Sequence, residues 1–366
     1  MRIFAPSMFK KIDYYIIKKF LGTYVLSLLL VISIAIVIDI TEKMDDFYRE
    51  GLDSYTIIFD YYIYFIPYYI NLFSSLFTFL AVIFVTSKLA YNSEIIAMLA
   101  GGISFRRIMR PYMFSAALIA VFTFYISSEV IPPSIRERLI FESEHITHEA
   151  FESSSQHKQL QISENEIIYV ERFNLRKNIG YRFSYDKFDG KRLIERITAN
   201  KIEYISDYKW KASYFTKRSF TGLREEMVKG DTLTMELNML PKDFIEIIKE
   251  YEQLTNSQLS ENIAEKTRRR IGGVGVYELE LYKRFANPFA AFILTLIGVS
   301  IASKKVRGGT GVHIFFGLLL STTYLLFNLT SVSFTVKGGA DPLLSVWIPN
   351  FIYLIIAIIL YKKAPK

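Results

Sequence analysis

The sequence contains no cysteine, only two tryptophans and only four histidines among its 366 residues. Without cysteine the chain can form neither disulfide bonds nor thiolate metal sites, and it has no thiol nucleophile. It also lacks a G-x-x-x-x-G-K-[ST] motif, which excludes ATP binding through a P-loop. No Ser-His-Asp signature and no pair of catalytic carboxylates stands out. We therefore expect neither catalysis by this chain alone nor a cofactor or metal bound to it.

Long apolar stretches are what the sequence does contain. Hydrophobic residues make up 51% of the chain although its net charge is +8, so apolar and basic segments must be separated along the sequence, as in integral membrane proteins. A hydrocarbon layer of about 30 Å needs roughly 20 apolar residues of helix. We predict six spans, at Phe20–Ile40, Thr56–Val85, Tyr112–Ile131, Pro288–Ala302, Val312–Val336 and Leu343–Tyr361. The fourth is short unless it extends back through Leu279, Leu281 and Phe285.

Lysine and arginine accumulate on one side of these predicted spans. Because basic residues in short loops stay in the cytoplasm, both ends of the chain are predicted to be cytoplasmic. The basic start leads into a full-length apolar span without a small-residue cleavage site, so the first span is predicted to be an anchor, with Met1 or Met8 as the start. The basic residues are Lys10, Lys11, Lys18, Lys19, Lys88, Arg106, Arg107, Arg110, Lys304, Lys305, Arg307, Lys362, Lys363 and Lys366.

The segment 133–276 is predicted to be an exported domain, inserted between three spans in residues 1–132 and three in residues 277–366. Short β-rich segments such as "EIIYVERF" and "YKWKASYFTKRSF" indicate a twisted antiparallel sheet or open roll. An Asp-Gly turn is predicted in "KFDGK" and an amphipathic closing helix in "PKDFIEIIKEYEQL". The predicted fold class is an α-helical integral membrane protein with six transmembrane helices and an inserted β-rich domain.

The loop "YNSEIIAMLAGGISFRRIMRP" separates the second and third spans. Ser93 is a predicted N-cap, Glu94 lies in the first turn of a short helix, and Gly101 is predicted to end it. The residues alone allow two interpretations. The helix either lies in the headgroup layer, anchored by the nearby arginines, or docks into a cytoplasmic partner whose movement it transmits.

Three segments resemble the lipopolysaccharide export permeases LptF and LptG: "IDYYIIKKFLGTYVLSLLL", "NSEIIAMLAGGISFRRIM" and "ELELYKRFANPFAAFILTLIGVSIA". The resemblance implies a bacterial inner-membrane subunit and a periplasmic domain of β-jellyroll type. It also implies partners: a second six-span permease subunit, a dimer of the cytoplasmic ATPase LptB, the single-span protein LptC and a periplasmic bridge protein like LptA. ATP and Mg²⁺ would bind to the ATPase, the transported ligand would be lipopolysaccharide, and no nucleic acid is expected.

The same resemblance assigns residues 92–102 as the coupling helix that docks into the ATPase. Its residues there are Ser93, Glu94, Ile95, Met98, Leu99 and Gly101. Small and apolar side chains would allow close approach, and the carboxylate would pair with a basic group of the partner.

Two sets of charged residues are candidates for substrate binding. Lys283 and Arg284 lie where the fourth span begins, either facing anionic phosphates or paired with Glu278 and Glu280 as snorkelling anchors. The second set, Asp39, Glu42 and Lys43 in "VIDITEKMDDF", lies where the family carries charged residues that face the lipid headgroup. Its acidic excess departs from a simple phosphate site unless divalent cations bridge carboxylate and phosphate.

Two further clusters receive a structural interpretation. Tyrosines around Pro67 are predicted to form an interfacial belt on a kinked helix rather than an acyl-binding surface; they are Tyr61, Tyr62, Tyr64, Tyr68 and Tyr69. His145 and His148 have ligand-like spacing, with Glu142, Glu144 and Glu149 around them. A third strong ligand is missing, so a solvated charged helix is preferred.

The predicted function is that of a membrane subunit of an ATP-driven exporter, which extracts lipopolysaccharide from the inner membrane and passes it through its β-domain toward the outer membrane. The principal alternative is a non-transporting mechanotransmission or scaffold protein that controls a periplasmic partner. Proteins of that class usually have four spans and place the exported domain after the first, so the predicted order favours transport. A membrane-bound lipid enzyme would need a reactive cluster. The sequence does not distinguish the LptF member from the LptG member.

Overall fold

The computed structural model describes residues 10–147, 152–154, 156–174, 176–222, 224–247, 249–270, 272–304 and 309–364. Among them, five helices are long and apolar enough to cross a membrane, and there are six such spans if a pair of helices bent by 43° is counted as one broken span. The predicted membrane fold is thereby confirmed. Residues outside the described set include Met1, Met8, His148, Glu149, Lys305, Arg307 and Lys366.

The helices are α1 Lys11–Arg49, α2 Ser54–Thr56, α3 Ile63–Tyr91, α4 Glu94–Ala100, α5 Phe105–Tyr125, α6 Ile131–His145, α7 Glu250–Gln253, α8 Asn256–Arg268, α9 Val274–Ala286, α10 Phe289–Ala302, α11 Gly309–Gly338 and α12 Pro342–Lys362. π-Helical turns at Ile57–Tyr62 and Ile126–Val130 join α2 to α3 and α5 to α6. The chain divides into two compact units: a helical unit up to Ile146 and from Glu278 onward, and a β unit, Thr147–Tyr277. The exported domain is predicted to begin at residue 133, whereas α6 packs against α3 within the helical unit.

The bent pair lies at the predicted fourth span. It consists of α9 and α10, which are separated by Asn287 and Pro288. Proline has no N–H to continue the helical ladder, so the helix is interrupted here. At the end of α9, the carbonyl of Ala286 accepts a hydrogen bond from Asn350 Nδ2 at 3.0 Å, and the Tyr324 hydroxyl donates to Asn350 Oδ1 at 2.9 Å. Buried side chains of α11 and α12 thus stabilise the break. The fourth span reaches the length of a membrane crossing if α9 is counted with α10 as one broken span.

Helix α3 packs against α1, α10 and α11 in the core of the helical unit. Two glycines permit this close packing. A Cβ added at Gly298 would lie 2.3 Å from Val82 Cγ1, and one added at Gly317 would lie 2.3 Å from Ile83 Cδ1. Small residues let helix backbones approach in membranes, where lipid provides no hydrophobic force between helices.

The β unit contains a six-stranded antiparallel meander in the order β2-β3-β4-β5-β6-β7, and a separate pair in which β1 is bonded to β8. The strands are β1 Glu152–Ser154, β2 Gln156–Ser163, β3 Glu166–Asn174, β4 Ile179–Asp189, β5 Arg192–Ser206, β6 Lys209–Thr221, β7 Arg224–Glu236 and β8 Ile245–Ile247. The predicted Asp-Gly turn joins β4 to β5, where Gly190 has φ +59° and Asp189 pairs with Arg192. A left-handed φ favours glycine at this position.

One row of residues crosses the whole sheet without regular pairing. Between β3 and β4, for example, the register passes from the pair Val170–Phe183 to the pair Arg172–Tyr181. The row consists of His157, Glu171, Arg182, Asn200, Tyr214 and Asp231. Alternate members of the row, His157, Arg182 and Tyr214, have φ between 52° and 55°. The alternation of side chains between the two faces of the sheet therefore shifts by one residue at this row. Val170 and Phe173 both reach the core, although residues three apart lie on opposite faces of a regular strand.

The helix predicted in "PKDFIEIIKEYEQL" is wrong. That segment forms a 3₁₀ turn, Pro241–Phe244, followed by strand β8 and the short helix α7. Phe244 stacks on Phe173 in the core, and β8 pairs with β1, so tertiary contacts override the helical periodicity. A longer helix, α8, follows instead, and it begins with a capping box in which Thr255 Oγ1 accepts from Gln258 N and Gln258 Oε1 accepts from Thr255 N.

Candidate functional site

Helix α4 is present where the sequence predicts it, between α3 and α5, and its C-cap is Gly101. Gly102 then reverses the chain with φ +81°. Ser93 lies at the predicted N-cap position, with φ +62°, but its side chain makes no capping hydrogen bond. A capping serine normally has extended backbone, which points its hydroxyl at the first free N–H groups of the helix.

The two faces of α4 differ in what they contact. Ile95 is 1% exposed and, together with Met98 and Leu99, packs on the core of the helical unit. The opposite side, which we call the outer face of α4, contains Ile96, Ala97, Ala100 and Gly101, all exposed. Ile96 is 48% exposed and is the one large apolar side chain of this face. The sequence-based set of Ile95, Met98 and Leu99 thus holds α4 on its own chain.

Glu94 connects α4 to α1. Its Oε2 accepts a hydrogen bond from the Tyr15 hydroxyl at 2.9 Å, and its Oε1 lies 3.9 Å from Lys19 Nζ. The ammonium of Lys19 also lies 4.1 Å from the centre of the Tyr15 ring. The carboxylate therefore has partners within its own chain and fixes the first turn of α4 against the first turns of α1.

A second connection joins α1 to the start of α5. Arg107 Nη1 donates to Asp13 Oδ1 at 2.7 Å, and Arg107 Nη2 donates to Asp13 Oδ2 at 2.5 Å. Asp13 is only 2% exposed and also accepts from the backbone N–H of Lys10. Two parallel charge-assisted bonds fix both distance and orientation. The segment containing α4 is thus tied to α1 at both ends, while Arg106 and Arg110 remain exposed.

Charged residues of α1 lie in a partly buried network, which we call the α1–α3–α6 cluster. Lys43 Nζ lies 3.2 Å from Asp39 Oδ1 and 2.9 Å from Glu142 Oε1. The Tyr61 hydroxyl donates to Glu142 at 3.1 Å, and the Tyr62 hydroxyl donates to Asp39 at 3.1 Å. The charge of Lys43 is therefore balanced within the chain. Glu42, which the sequence grouped with these residues, is exposed and takes no part in these contacts.

The tyrosine belt predicted around Pro67 is wrong for two of its members. Tyr61 and Tyr62 are buried, and they pack with Phe47, Phe65 and Phe141. Both rings lie on the π-helical turn before α3, where they face the cluster instead of lipid. The other three tyrosines, Tyr64, Tyr68 and Tyr69, are partly buried.

Lys283 and Arg284 share one carboxylate. Lys283 Nζ lies 2.9 Å from Glu280 Oε2, and Arg284 Nε donates to Glu280 Oε1 at 3.0 Å. Arg284 is only 3% exposed, so it is not a snorkelling anchor. Both cations pair with Glu280, one of the two partners named from the sequence.

Sequence reasoning missed several residues of these networks. Asp13, Tyr15 and Glu142 make the contacts that hold the candidates in place. Asp13 could have been recognised from the sequence, because it is an isolated carboxylate among lysines at the start of an apolar helix. Glu142 was considered only as a neighbour of His145 and His148, and its contact with Lys43 was missed because its segment was assigned to the exported domain. Among the described residues, no group of three His, Asp or Glu side chains could hold a metal ion.

Comparison with known proteins adds one finding. A search of curated proteins gave no match to this chain. A family model described as lipopolysaccharide export system permease LptF/LptG matches residues 14–363, which is nearly the whole sequence. The match covers all the membrane spans, α4 and the β unit. The chain therefore belongs to the LptF/LptG family of lipopolysaccharide export system permeases.

Proposed function

We propose that this chain is the membrane subunit of an ATP-driven exporter that extracts lipopolysaccharide from the inner membrane and passes it through the β unit toward the outer membrane. The observation that carries the proposal is the combination of an exposed face on α4 with contacts that tie its segment to α1. Its outer face is exposed and is made of small residues around Ile96, while both ends of its segment are tied to α1. Such a helix can receive a partner and move a membrane span.

The orientation follows from charge. Lys19, Lys88, Arg106 and Arg110 lie at the end of the spans where α4 is found, and this end is the cytoplasmic one by the distribution of basic residues. The β unit is then periplasmic, and both termini are cytoplasmic. An ATPase dimer in the cytoplasm would hydrolyse ATP with Mg²⁺, so this chain itself would be a transporter subunit and not an enzyme.

The outer face of α4 provides the docking surface for the ATPase. Ala97, Ala100 and Gly101 permit close approach of another surface, and Ile96 provides an apolar anchor. Glu94 acts within the chain, because Tyr15 and Lys19 already occupy its carboxylate. Movement of α4 would therefore be transmitted to α1 through Glu94 and through the Asp13–Arg107 pair.

Anionic phosphates of the substrate would bind at residues whose charges are balanced in the free chain. In the α1–α3–α6 cluster, Asp39 and Glu142 are balanced by Lys43 and by Arg138, whose Nε lies 3.8 Å from Glu142. A phosphate at Lys43 would displace Glu142, which would keep Arg138 as its cationic partner, and the added negative charge would have to enter with a proton or a counter-cation. Lys283 and Arg284 would act by the same exchange at Glu280. Glu42 would contribute only where a divalent cation bridges it to phosphate.

The assembly would include a second permease subunit, a single-span LptC-like protein and an LptA-like bridge, as the name of the matching family implies an export system. Exposed apolar side chains on α1 and α11 offer surfaces for neighbouring spans or lipid; they include Leu26, Leu29, Leu30, Phe315, Leu318 and Leu329.

The test is affinity purification of the tagged chain from its native membrane in mild detergent, with mass spectrometry of proteins and lipids. Recovery of a small ATPase, a second six-span subunit and lipid A species is expected. Ala97→Trp should lose the ATPase but keep the second permease subunit, whereas the same substitution at Ala340, which is exposed outside α4, should keep both. Recovery of a periplasmic hydrolase without lipid A would overturn the proposal in favour of a scaffold protein.

A further inference from the structure

A groove lies between α1 and α3 near the basic end of the spans. It has a volume of about 250 Å³ and is lined by Lys19, Gly22, Thr23, Leu26, Phe84, Val85 and Lys88. Because α1 and α3 are consecutive spans, the start of α1 and the end of α3 lie at the same face of the membrane. Leu26 lies about two turns beyond Lys19, which is about 10 Å deeper into the apolar layer. The groove is therefore basic at its mouth and apolar along its length.

The mouth carries a net positive charge. Lys88 is exposed and makes no ion pair with any residue that the structure describes. The charge of Lys19 is offset in part by Glu94, which lies 3.9 Å away. Lysine can extend its ammonium to the level of lipid headgroups while its methylene chain lies along apolar surface. An anion placed between Lys19 and Lys88 would thus neutralise Lys88, which has no ion-pair partner among the described residues.

The floor of the groove is open because of a glycine. A Cβ added at Gly22 would meet no atom within 4 Å. Leu26 and Phe84, both exposed, form the apolar walls. The lysines at the mouth favour an occupant with a negative headgroup over the apolar side chains of a neighbouring span. A single acyl chain is narrow enough to lie in it.

We propose that this groove binds one anionic phospholipid, with its phosphate between Lys19 and Lys88 and an acyl chain along Gly22, Leu26 and Phe84. The proposal rests on the proposed orientation, which places the lysines at the cytoplasmic leaflet, where anionic lipids attract basic residues. The lipid would be a resident of the membrane and not the exported substrate. Its site shares no residue with the α1–α3–α6 cluster or with the Glu280 ion pairs. Bound there, it would brace α1 beside the residues that hold α4.

The test uses the purified full chain in detergent, supplemented with phosphatidylglycerol or with phosphatidylcholine. Native mass spectrometry measures the retained lipid, and thermal unfolding measures its effect on stability. Phosphatidylglycerol should be preferred, with each lysine contributing about five-fold, which corresponds to about 1 kcal/mol. Lys88→Gln should reduce that preference about five-fold, while Lys11→Gln, an exposed lysine outside the groove, should leave it unchanged.

Gly22→Leu fills the groove and should abolish retention of phosphatidylglycerol. The matched control is Gly311→Leu in α11, where an added Cβ also meets no atom within 4 Å. Equal retention of the two lipids, or full retention by Gly22→Leu, would overturn the proposal. The proposal would also be overturned if Gly22→Leu retained phosphatidylglycerol but lost lipid A or a protein subunit from the native complex. If the wild-type complex lacks lipid A and an ATPase but keeps phosphatidylglycerol in the groove, the proposed function fails while this site stands.

Discussion

Asp13 and Arg107 are 94 residues apart in the sequence and form a two-bond ion pair, with N–O distances of 2.7 and 2.5 Å. The pair joins the first turn of α1 to the first turn of α5, on either side of α4 in the chain. Because Asp13 is buried and Arg107 is partly exposed, the pair is a fixed joint at the edge of the helical core. Together with the contact of Glu94 to Tyr15, it makes α4 and the start of α1 one mechanical element.

Asp13→Asn should weaken this joint. The neutral amide can accept one hydrogen bond from Arg107 but cannot balance its charge, so we expect a loss of about 1–3 kcal/mol in unfolding free energy. In the complex, the number of lipid molecules exported per ATP hydrolysed should fall more than ATPase activity does. Thermal unfolding in detergent and a coupled transport assay measure the two effects.

The exchange of both partners is the control for this joint. The double variant Asp13→Arg with Arg107→Asp should recover stability and coupling that each single variant loses. A double variant that is no better than the singles would show that the pair does not act as a joint, since a true pair gives a favourable coupling energy in such a cycle.

Two substitutions of Glu94 distinguish an internal role from a contact with the ATPase. Glu94→Gln keeps an oxygen that accepts the Tyr15 hydroxyl, whereas Glu94→Ala removes it. We expect Gln to retain most ATPase-driven transport and Ala to lose most of it, because holding α4 on α1 requires only the acceptor. Equal loss in both variants would instead show that the negative charge itself pairs with a cation of the partner. Retention of the ATPase on a tagged chain is measured in parallel.

The membrane spans could be predicted from sequence because a helix of about 20 apolar residues is a local signal. The ion pairs could not be predicted in this way. Lys43 and Glu142 are 99 residues apart, and neither position has a periodic pattern that names its partner. Glu142 was placed in the exported domain, since α6 is too polar to be recognised as the continuation of a span. Only the packing of α6 on α3 brings it to Lys43.

The β unit shows a second limit of sequence reasoning. Its strands and the Asp-Gly turn were recognisable, but alternation of buried and exposed residues fails at the row that includes Arg182 and Tyr214. Each strand changes phase there, so a single period of two residues assigns half of the strand to the wrong face. The helix predicted from Pro241 onward is wrong for a related reason. The position of Phe244 is fixed by contacts with Phe173 and Trp210 and not by the periodicity of its own segment.

Three glycine substitutions should give a graded loss of stability in the helical unit. Gly298→Ala places a methyl group 2.3 Å from Val82 Cγ1, and a buried β-branched side chain cannot rotate away, so we expect a loss of about 1–3 kcal/mol. Gly317→Ala should cost less, because the opposing Ile83 Cδ1 is the flexible end of its side chain. Gly311→Ala meets open space and should be neutral or stabilising by up to about 1 kcal/mol. Thermal unfolding in detergent ranks the three, and equal effects would contradict the packing described for α3.

The stability of the β unit should fall in acid through Glu265. Hydrogen bonding from Lys242, aided by Arg269, lowers the pKa of Glu265 in the folded state. A carboxyl whose pKa is lowered by folding stabilises the protein above its unfolded pKa, and that contribution is lost as the pH falls through the folded pKa. Because the ordinary glutamate value is 4.5, the contribution should be complete near neutral pH and lost progressively below about pH 4.5.

Trp210 provides the measurement, because it is buried in the β unit and only one other tryptophan, Trp347, is present. In a Trp347→Phe background, fluorescence of Trp210 during urea unfolding reports on the β unit within the full chain. Glu265→Gln should reduce the difference in unfolding free energy between pH 7 and pH 4, because the amide cannot gain a proton. Glu261→Gln, on the exposed side of the same helix α8, removes an equal charge without an ion pair among the described residues and should leave that difference unchanged. If both variants keep the wild-type pH dependence, Glu265 is not the group that links acid to unfolding.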